Sequence, residues 1–462
     1  MSVRPVEKIE WLRYPEAEQF IVDRLQELVL AMPSVRTLAD RLYTHASGRL
    51  VDWLDHLVLA DGGRVRGLLS DLGFQPEEVP VEPRGGVYHH PGAAFPRIVL
   101  REGVAASPGS TIAAAIKVEE IDAFLMAHHR SVAVEGTPLS PYRRATVWQE
   151  GGCELLVVER RGGAGFVPTS MPPDYAEAYH RAFERWATRP RLFADERAGM
   201  EDTLSLARSL VADIGRNVAA WIVLEAERAH WQQRNHAGQV QKARQDSLGL
   251  GWANHDHHTF RSSRHTFSLL IQILEVLGFH GRERFYAGAE AGWGAQVMEQ
   301  PVCRLVVFAD VDLSPDEVEG DFAHQPLPPR DELGTVGLWC ALHGESMLTA
   351  GLHHLASRLD FQAATADLAA WGIRMMRPFS DFSYLWQAFT QGERWPVAPD
   401  RLERLAAAGQ IREAQWKQFA EQGAIGSHLE NIQRGEGFKG FNQQRVSDII
   451  RRTDPRAEFG AA

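Results

Sequence analysis

The sequence predicts an α+β protein in which βαβββ modules form curved mixed sheets. Apolar runs of strand length alternate with short amphipathic runs that have the 3.6-residue helical period. This strand–helix–strand–strand order occurs over residues 50–160 and starts again at about residue 252. The stretch between the two copies has only the helical period. Repetition on this scale predicts two related halves, each with helices on one face of a mixed or antiparallel sheet.

Changes in composition and periodicity divide the chain into four parts. Residues 1–47 have apolar side chains at helical spacing and are expected to form an N-terminal helical segment. Residues 48–165 form a first βαβββ-type half. Residues 166–250 form a helical connector that lacks the sustained heptads of a coiled coil. Residues 251–462 form the second half.

Short motifs recur in the same order in both halves. An Asp-His pair is followed by a helical run that ends in Leu-Gly-Phe and then by an apolar strand led by Arg. The copies are Asp55-His56, Leu72-Gly73-Phe74 and Arg97 in the first half, and Asp256-His257, Leu277-Gly278-Phe279 and Arg304 in the second. Glycine in this place is typical of a helix C-terminus. The recurrence suggests a diverged internal duplication.

Composition narrows the class of protein. The 462 residues include 49 Lys and Arg against 60 Asp and Glu, a net charge of −11, which argues against nucleic-acid or anionic-membrane partners. The three cysteines are far apart and cannot build a disulfide framework or a thiolate metal cluster. The N-terminus lacks the apolar region of a signal peptide, and no apolar run reaches the ~18 residues that span a membrane. We therefore expect a soluble, cytoplasmic protein.

Histidine is the most informative residue type, with 19 copies that include four adjacent pairs, at 89–90, 128–129, 257–258 and 353–354. Successive side chains of a strand point to opposite faces, so at most one member of each pair is expected to face an enclosed site.

The segment 256–264 carries the strongest candidate among these pairs. If residues 257–261 are a strand, His257, Thr259 and Arg261 share one face. A metal ligand and a guanidinium that binds carboxylates bidentately would then face the same space. The alternative for Arg261 is a structural salt bridge.

Two further segments offer metal ligands. His354 and Arg358 repeat the spacing of His257 and Arg261, and Glu430 precedes a turn-rich stretch. Two histidines and one carboxylate are the facial triad of non-haem Fe(II) oxygenases. The chemistry needs such a set because three protein ligands on one face of the metal leave positions open for a 2-oxo acid and O₂. The three residues are too far apart along the chain to form a local motif, and hydrogen-bonded or solvated histidines are the commoner alternative.

At these residues the second half resembles the bacterial 2-oxoadipate dioxygenase/decarboxylase family, a branch of the vicinal oxygen chelate superfamily that forms 2-hydroxyglutarate. The similar segments, in the family's order, are DHHTFRSSR at 256–264, the helix ending in EVLGF, RLVVFADVDLS, HHLASRLDF and LENIQRG at 429–435. The resemblance covers roughly residues 250–456. In this chain the similar region is C-terminal, whereas the usual members of the family carry it nearer the start.

The resemblance implies vicinal-oxygen-chelate-like modules around a metal site, with Fe(II) held by His257, His354 and Glu430. It implies that Arg261 binds a substrate carboxylate, with Arg358 as a helper. The implied reaction is an Fe(II)-dependent oxidative decarboxylation of a 2-oxoadipate-like 2-oxo acid by O₂, coupled to hydroxylation, which gives a 2-hydroxy acid. The implied partners are this small molecule and O₂, without nucleic acid or membrane.

Three alternatives remain open at this point. The aromatic residues of 375–400 leave room for an aromatic substrate, and therefore for extradiol-type ring cleavage or metal-dependent isomerisation. Mn(II) accepts the same ligands as Fe(II). Similar modules also serve as metal-free proteins that bind small molecules.

In the first half, His56 matches His257, and Glu154 or Glu159 lies on the last strand, but no second histidine is identifiable. We therefore expect that half to be degenerate and without metal.

Overall fold

A computed structural model describes residues 10–82, 85–104, 106–289, 291–442 and 453–456. The start of the expected N-terminal helical segment, before residue 10, lies outside the described residues, as does the part of the family-like region between residues 443 and 452.

The strands, in chain order, are β1 (Leu54–Ala60), β2 (Gln75–Glu77), β3 (Gly85–His89), β4 (Arg97–Arg101), β5 (Thr111–Lys117), β6 (Tyr142–Glu150), β7 (Cys153–Arg160), β8 (His255–Arg261), β9 (His280–Tyr286), β10 (Trp293–Gln300), β11 (Leu305–Asp312), β12 (His354–Arg358), β13 (Ser380–Phe382), β14 (Leu385–Phe389), β15 (Glu393–Trp395) and β16 (Ala424–Arg434).

The helices are α1 (Pro15–Ala31), α2 (Pro33–Ala46), α3 (Gly63–Asp71), α4 (Ile121–Ala127), α5 (Tyr175–Ala187), α6 (Glu196–Ile214), α7 (Arg216–Gln232), α8 (His236–Asp246), α9 (Phe267–Val276), α10 (Pro315–Glu319), α11 (Thr335–His343), α12 (Phe361–Ala369), α13 (Pro399–Ala407) and α14 (Glu413–Gln422). Within the described part of the chain, no helix has both the length and the apolar character needed to cross a membrane.

The first half forms a seven-stranded mixed sheet in the order β2-β3-β4-β1-β5-β7-β6. The first and last strands of its first module, β1 and β4, are parallel, as are β5 and β7 of its second module. An antiparallel pairing of β1 with β5 joins the modules. The apolar side chains alternate between the two faces of the sheet. Leu57 and Leu59 pack with residues of α1 and α2, and Val58 and Ala60 pack on the opposite face.

The second half repeats this arrangement in a nine-stranded sheet. Its order is β13-β14-β16-β12-β8-β11-β10-β9, with β15 paired to β16 outside this path. Strands β8 and β11 are parallel, β12 and β16 are parallel, and β8 and β12 pair antiparallel at the centre. Leu355 and Leu429 face the core that the connector helices α5–α7 share with this sheet. The residues next to them in sequence, His354 and Glu430, therefore face the other side.

The predicted α+β fold class is confirmed: paired modules repeat one order of strands in two mixed sheets. The helix predicted to end at Gly278 is α9, and Gly278 has the positive φ of 88° that favours glycine after a helix. The strand–helix order was expected from residue 50, but residues 50–53 form a 3₁₀ turn and β1 begins at Leu54.

Candidate metal centre

Three side chains from neighbouring strands converge on one face of the second sheet. His257 on β8 is paired in register with Ala356 on β12, and Ala356 is paired with Glu430 on β16. His354 lies two residues before Ala356 on the same face of β12. One ligand atom from each of His257, His354 and Glu430 lies within 4.8 Å of the other two, and all three side chains are buried.

Hydrogen bonds orient the three side chains toward a common point. The Nε2 atoms of His257 and His354 each lie 3.1 Å from Oε2 of Glu430. The Nδ1 atom of His257 lies 3.1 Å from Oδ1 of Asp256, and since a carboxylate only accepts, Nδ1 donates this hydrogen bond. Nε2 faces Glu430 in the same way, so a metal would take the place of the proton on Nε2. Gln387 donates to Oε1 of Glu430 at 2.9 Å. Such outer contacts are typical of metal sites, where they fix ring orientation and tautomer.

Contact between the three side chains shifts their pKa values. Burial opposes charge on His257, but the negative charge of Glu430 and the hydrogen bond to Asp256 raise the pKa of His257 to about 9. Burial opposes charge on Glu430 as well, but the charge of His257 and the hydrogen bonds from His257 and His354 lower the pKa of Glu430 to about 2. Burial is the main reason that the pKa of His354 is lowered. Two imidazole nitrogens around one carboxylate oxygen form an N₂O donor set, which fits a divalent transition metal in place of the proton.

Asp256 anchors the back of the centre. It accepts from Nε and Nη2 of Arg434 at 2.9 and 3.0 Å and from Nε of Arg358 at 2.9 Å. These charges, against burial, hold the pKa of Asp256 well below its usual range. Asp256 is therefore an ionised partner for Nδ1 of His257, which leaves Nε2 free to bind a metal.

A cavity opens in front of the three side chains, with about 570 Å³ of space between atoms, part of it open to solvent. His257, Thr259 and Arg261 all line it, as the strand alternation predicts. Arg261 is buried, and among the described residues its Nε and Nη1 atoms have no hydrogen-bond partner. Its nearest carboxylate is Asp310, at 3.9 Å from Nε to Oδ2. Burial raises the pKa of Asp310 to about 7.

Aromatic rings form most of the remaining wall of the cavity. The rings are those of Phe285, Trp293, Phe308, Phe379, Phe389 and Phe441. Phe379 and Phe389 come from the aromatic stretch at 375–400 that sequence analysis singled out. The cavity thus combines a metal-ligand set, one unsatisfied guanidinium and an apolar wall.

The structure places Arg358 differently from the helper role implied by the resemblance. Its guanidinium binds Asp256 and lies outside the lining of the cavity. The cause is an irregularity in the pairing of β12 with β8: Ala356 pairs with His257, but Ser357 pairs with His255, so Asp256 is the extra residue of a bulge. Arg358 contacts Asp256, and Asp256 in turn contacts the candidate ligand His257.

The histidine pair at 353–354 corrects the expectation that only one member of a pair faces an enclosed site. Both side chains line the cavity, and their Nδ1 atoms are 3.0 Å apart. Strand β12 begins at His354, so the alternation does not apply to His353. At the 257–258 pair the expectation holds, since His258 lies on the opposite face, 3.3 Å from Nη1 of Arg228.

Sequence reasoning also missed Asp256, Gln387 and Asp310. The strand FADVD offered one signal, because Asp310 and Asp312 alternate within an otherwise apolar run. Gln387 had no comparable signal, since its role depends on the pairing of β14 with β16.

The first half contains the counterpart of the centre with different residues at two of three positions. In the second sheet, Ala356 pairs with His257 on one side and with Glu430 on the other. In the first sheet, Ala115 holds this central position, and its partners are His56 and Leu156. The corresponding residues are therefore His56 for His257, Ala113 for His354 and Leu156 for Glu430. Neither an alanine nor a leucine side chain can bind a metal. Glu159 is bound to Arg143 at 3.1 Å, and Glu154 is bound to Gln149 at 2.8 Å.

Comparison with known proteins gives only distant structural likenesses. No protein-family model matches the chain, and no curated protein matches it. A variant of 4-hydroxymandelate synthase from Streptomyces coelicolor is 14% identical, with 87% of this chain and 97% of that chain covered and a TM-score of 0.26. Methylmalonyl-CoA epimerase from Mycobacterium tuberculosis is 13% identical, with 39% and 87% covered and a TM-score of 0.23. The Mn(II)-bound glyoxalase from Novosphingobium aromaticivorans is 11% identical, with 83% and 82% covered and a TM-score of 0.20. Likenesses at these TM-scores support no conclusion about this chain.

Proposed function

We propose that this protein is a non-haem Fe(II)-dependent oxygenase that converts a 2-oxo acid and O₂ into CO₂ and a 2-hydroxy acid one carbon shorter. The observation that carries the proposal is the convergence of His257, His354 and Glu430 in one cavity with the unsatisfied guanidinium of Arg261. Residues 251–462 are the proposed metal-binding catalytic half. The three cysteines are free in the structure, which supports the reducing cytoplasm as the compartment.

Fe(II) held by His257, His354 and Glu430 supplies open coordination positions and electrons for the reaction with O₂. The carboxylate of Glu430 and two neutral imidazoles leave a net positive charge, which favours an anionic substrate. Gln387 donates to Oε1 of Glu430, and Asp256 accepts from Nδ1 of His257. These two contacts hold Oε2 of Glu430 and Nε2 of His257 in the orientation for binding. These contacts fix the ligands before substrate arrives.

Arg261 is the proposed anchor for the distal carboxylate of a 2-oxoadipate-like diacid. The Nε and Nη1 atoms of this buried guanidinium have no hydrogen-bond partner among the described residues, so their N–H groups can donate to a carboxylate that enters the cavity. Asp310 competes for the same guanidinium when it is ionised, and its pKa of about 7 allows it to take up a proton when an acidic substrate binds beside it. Its Oδ1 atom has no hydrogen-bond partner among the described residues and is the atom that would hold that proton.

The aromatic wall favours a second candidate, in which the substrate is an aromatic 2-oxo acid or a ring that undergoes extradiol-type cleavage. Six rings surround the cavity, and a flexible aliphatic diacid would leave much of this surface without a matching partner. The two candidates share the metal centre and differ in the substrate that Arg261 orients.

The test is an oxygen-uptake assay of protein reconstituted with Fe(II) under anaerobic conditions. With 2-oxoadipate we expect O₂ consumption with equimolar CO₂ and 2-hydroxyglutarate, and with phenylpyruvate a slower reaction. The reverse preference selects the aromatic candidate. The His257→Ala and Glu430→Gln variants should lose activity, while His56→Ala, its counterpart in the first half, should keep it.

A metal-free binding protein predicts a different outcome in the same experiment. It would retain far less than one iron per chain after desalting and would consume no O₂ with either acid. That result would contradict the proposed function.

A further inference from the structure

A second cavity, separate from the metal centre, lies between the two halves and has about 2180 Å³ of space between atoms, part of it open to solvent. We call it the cationic chamber. Nine Lys and Arg side chains line it against six Asp and Glu side chains. This excess of positive charge is notable because the whole chain carries a net charge of −11.

Most of the cations in the cationic chamber have a carboxylate of their own. Arg160 binds Asp55 through two hydrogen bonds of 2.5 and 2.7 Å. Arg49 binds Asp52 at 2.7 Å. Arg97 makes the same kind of paired contact with Glu77. Asp55, Asp52 and Glu77 are therefore each paired with one of the chamber's own cations.

Lys117 and Arg304 make no ion pair or side-chain hydrogen bond with any residue the structure describes, although both line the chamber. Burial and the nearby guanidinium groups lower the pKa of Lys117 to about 7, with Asp55 acting in the opposite direction. Burial and the guanidinium of Arg97 lower the pKa of Arg304 to about 9. Like charges that converge without counter-charges are unfavourable unless an anion joins them.

The two sheets carry a cation at equivalent positions, Lys117 in the first and Arg358 in the second, and these cations differ in their contacts. Lys117 lies four residues after Ala113, as Arg358 lies four residues after His354, so the two cations hold equivalent positions. Arg358 binds Asp256 at 2.9 Å. In the first half, Asp55 binds Arg160 as Asp256 binds Arg434, but Lys117 makes no ion pair with Asp55 and lines the chamber.

Arg304 faces the chamber from the connection between β10 and β11. Its backbone has a positive φ of 56°, a conformation in which most non-glycine residues are disfavoured. Glycine or asparagine would satisfy that turn better, so the turn itself does not account for an arginine there.

We propose that the cationic chamber binds a small oxyanion with two or more negative charges, and that Lys117 and Arg304 are its principal contacts. Phosphate esters and polycarboxylates share this chemistry. The site is distinct from the metal centre, because none of the three candidate ligands lines the chamber, and Phe441 alone belongs to both linings. Its ring lies 5.2 Å from the ring of His257 and 4.8 Å from the guanidinium of Arg434.

Calorimetric titration of the full chain with inorganic phosphate and, separately, with tricarballylate tests this proposal, with NaCl used to hold ionic strength constant. We expect one site per chain for at least one probe, and the tighter probe identifies the phosphate or the carboxylate class. The Lys117→Met/Arg304→Gln variant should weaken binding at least tenfold. The Arg404→Gln variant, which removes an exposed arginine on α13, should bind as the wild type does.

Two further measurements keep the outcome clear. Without added anion, the double variant should melt at or above the wild-type temperature, because it removes unpaired like charges. The His257→Ala variant should bind the probe unchanged, so this test does not depend on the proposed oxygenase function. Absence of binding by both probes, unchanged binding in the double variant, or loss of binding in His257→Ala would overturn the proposal.

Discussion

Replacing Asp256 by asparagine removes the negative charge behind the metal centre while keeping the shape of the side chain. Asp256 holds Nδ1 of His257 at 3.1 Å and binds Arg434 and Arg358 at 2.9 Å. Loss of an outer contact of this kind typically weakens metal binding by about 10- to 100-fold, which corresponds to about 1.4–2.7 kcal/mol. We expect Asp256→Asn to lower metal affinity within this range.

The same variant should also lose stability, because it leaves guanidinium groups without their carboxylate. Removing one member of a buried ion pair typically costs about 3–5 kcal/mol. The Arg434 side chain is only 9% exposed, but Arg358 is 31% exposed and can turn to water. We therefore expect a loss near the lower limit, about 3 kcal/mol, measured by denaturant unfolding of the metal-free protein.

The first half supplies a matched control. Asp55 contacts Nδ1 of His56 at 2.8 Å and binds Arg160, so it repeats the surroundings of Asp256 at a position without the ligand set. Asp55→Asn should lose comparable stability and keep the wild-type metal affinity, measured by titration with Co(II) and visible absorption. A folded Asp256→Asn protein with wild-type affinity, or an equal loss of affinity in Asp55→Asn, would refute the reasoning.

Four other predictions follow from the site. Arg261→Met should raise KM for a 2-oxo diacid by about 30-fold or more, since truncating one partner of a buried charge pair costs about 2–5 kcal/mol; metal content should not change, and an unaltered KM would exclude Arg261 as the anchor. Metal affinity should increase with pH up to about 9, because the proton that raises the pKa of His257 to about 9 must leave before a metal binds; a pH-independent affinity between pH 6.5 and 9 would contradict this. In the metal-free protein, the raised pKa of His257 contributes stability that is complete below pH 6.5, the ordinary pKa of histidine, and is lost as pH rises through 9. The melting temperature of the wild type should therefore fall between these pH values, and that of His257→Ala should fall much less. His56→Ala should leave the iron content at one per chain, and a drop would show that the first half also binds metal.

Local pattern was enough to predict the strand that carries the site. The alternation of HDHHTFR places His257, Thr259 and Arg261 on one face, and all three line the cavity. The convergence of the three candidate ligands rested on a family resemblance, since residues on separate strands meet only through sheet pairing. Chain spacing carries no information about that pairing.

The errors came from places where tertiary structure overrides local pattern. Arg358 shares the spacing of Arg261, but the bulge at Asp256 gives it a carboxylate partner outside the cavity. The segments that form β9 and β10 were not located within the predicted module. Strand β9 is a sheet edge whose charged residues mask its alternation. The cationic chamber was also invisible, because its charges come from both halves of an acidic chain.

The most direct test of the metal centre is X-ray absorption at the iron edge of protein loaded with Fe(II), compared with Glu430→Gln and His354→Ala. The account predicts two imidazole nitrogens and at least one carboxylate oxygen at about 2.0–2.2 Å in the wild type. Each variant should lose the corresponding scatterer or the metal. An unchanged spectrum in both variants would show that the iron binds elsewhere and would contradict the central claim.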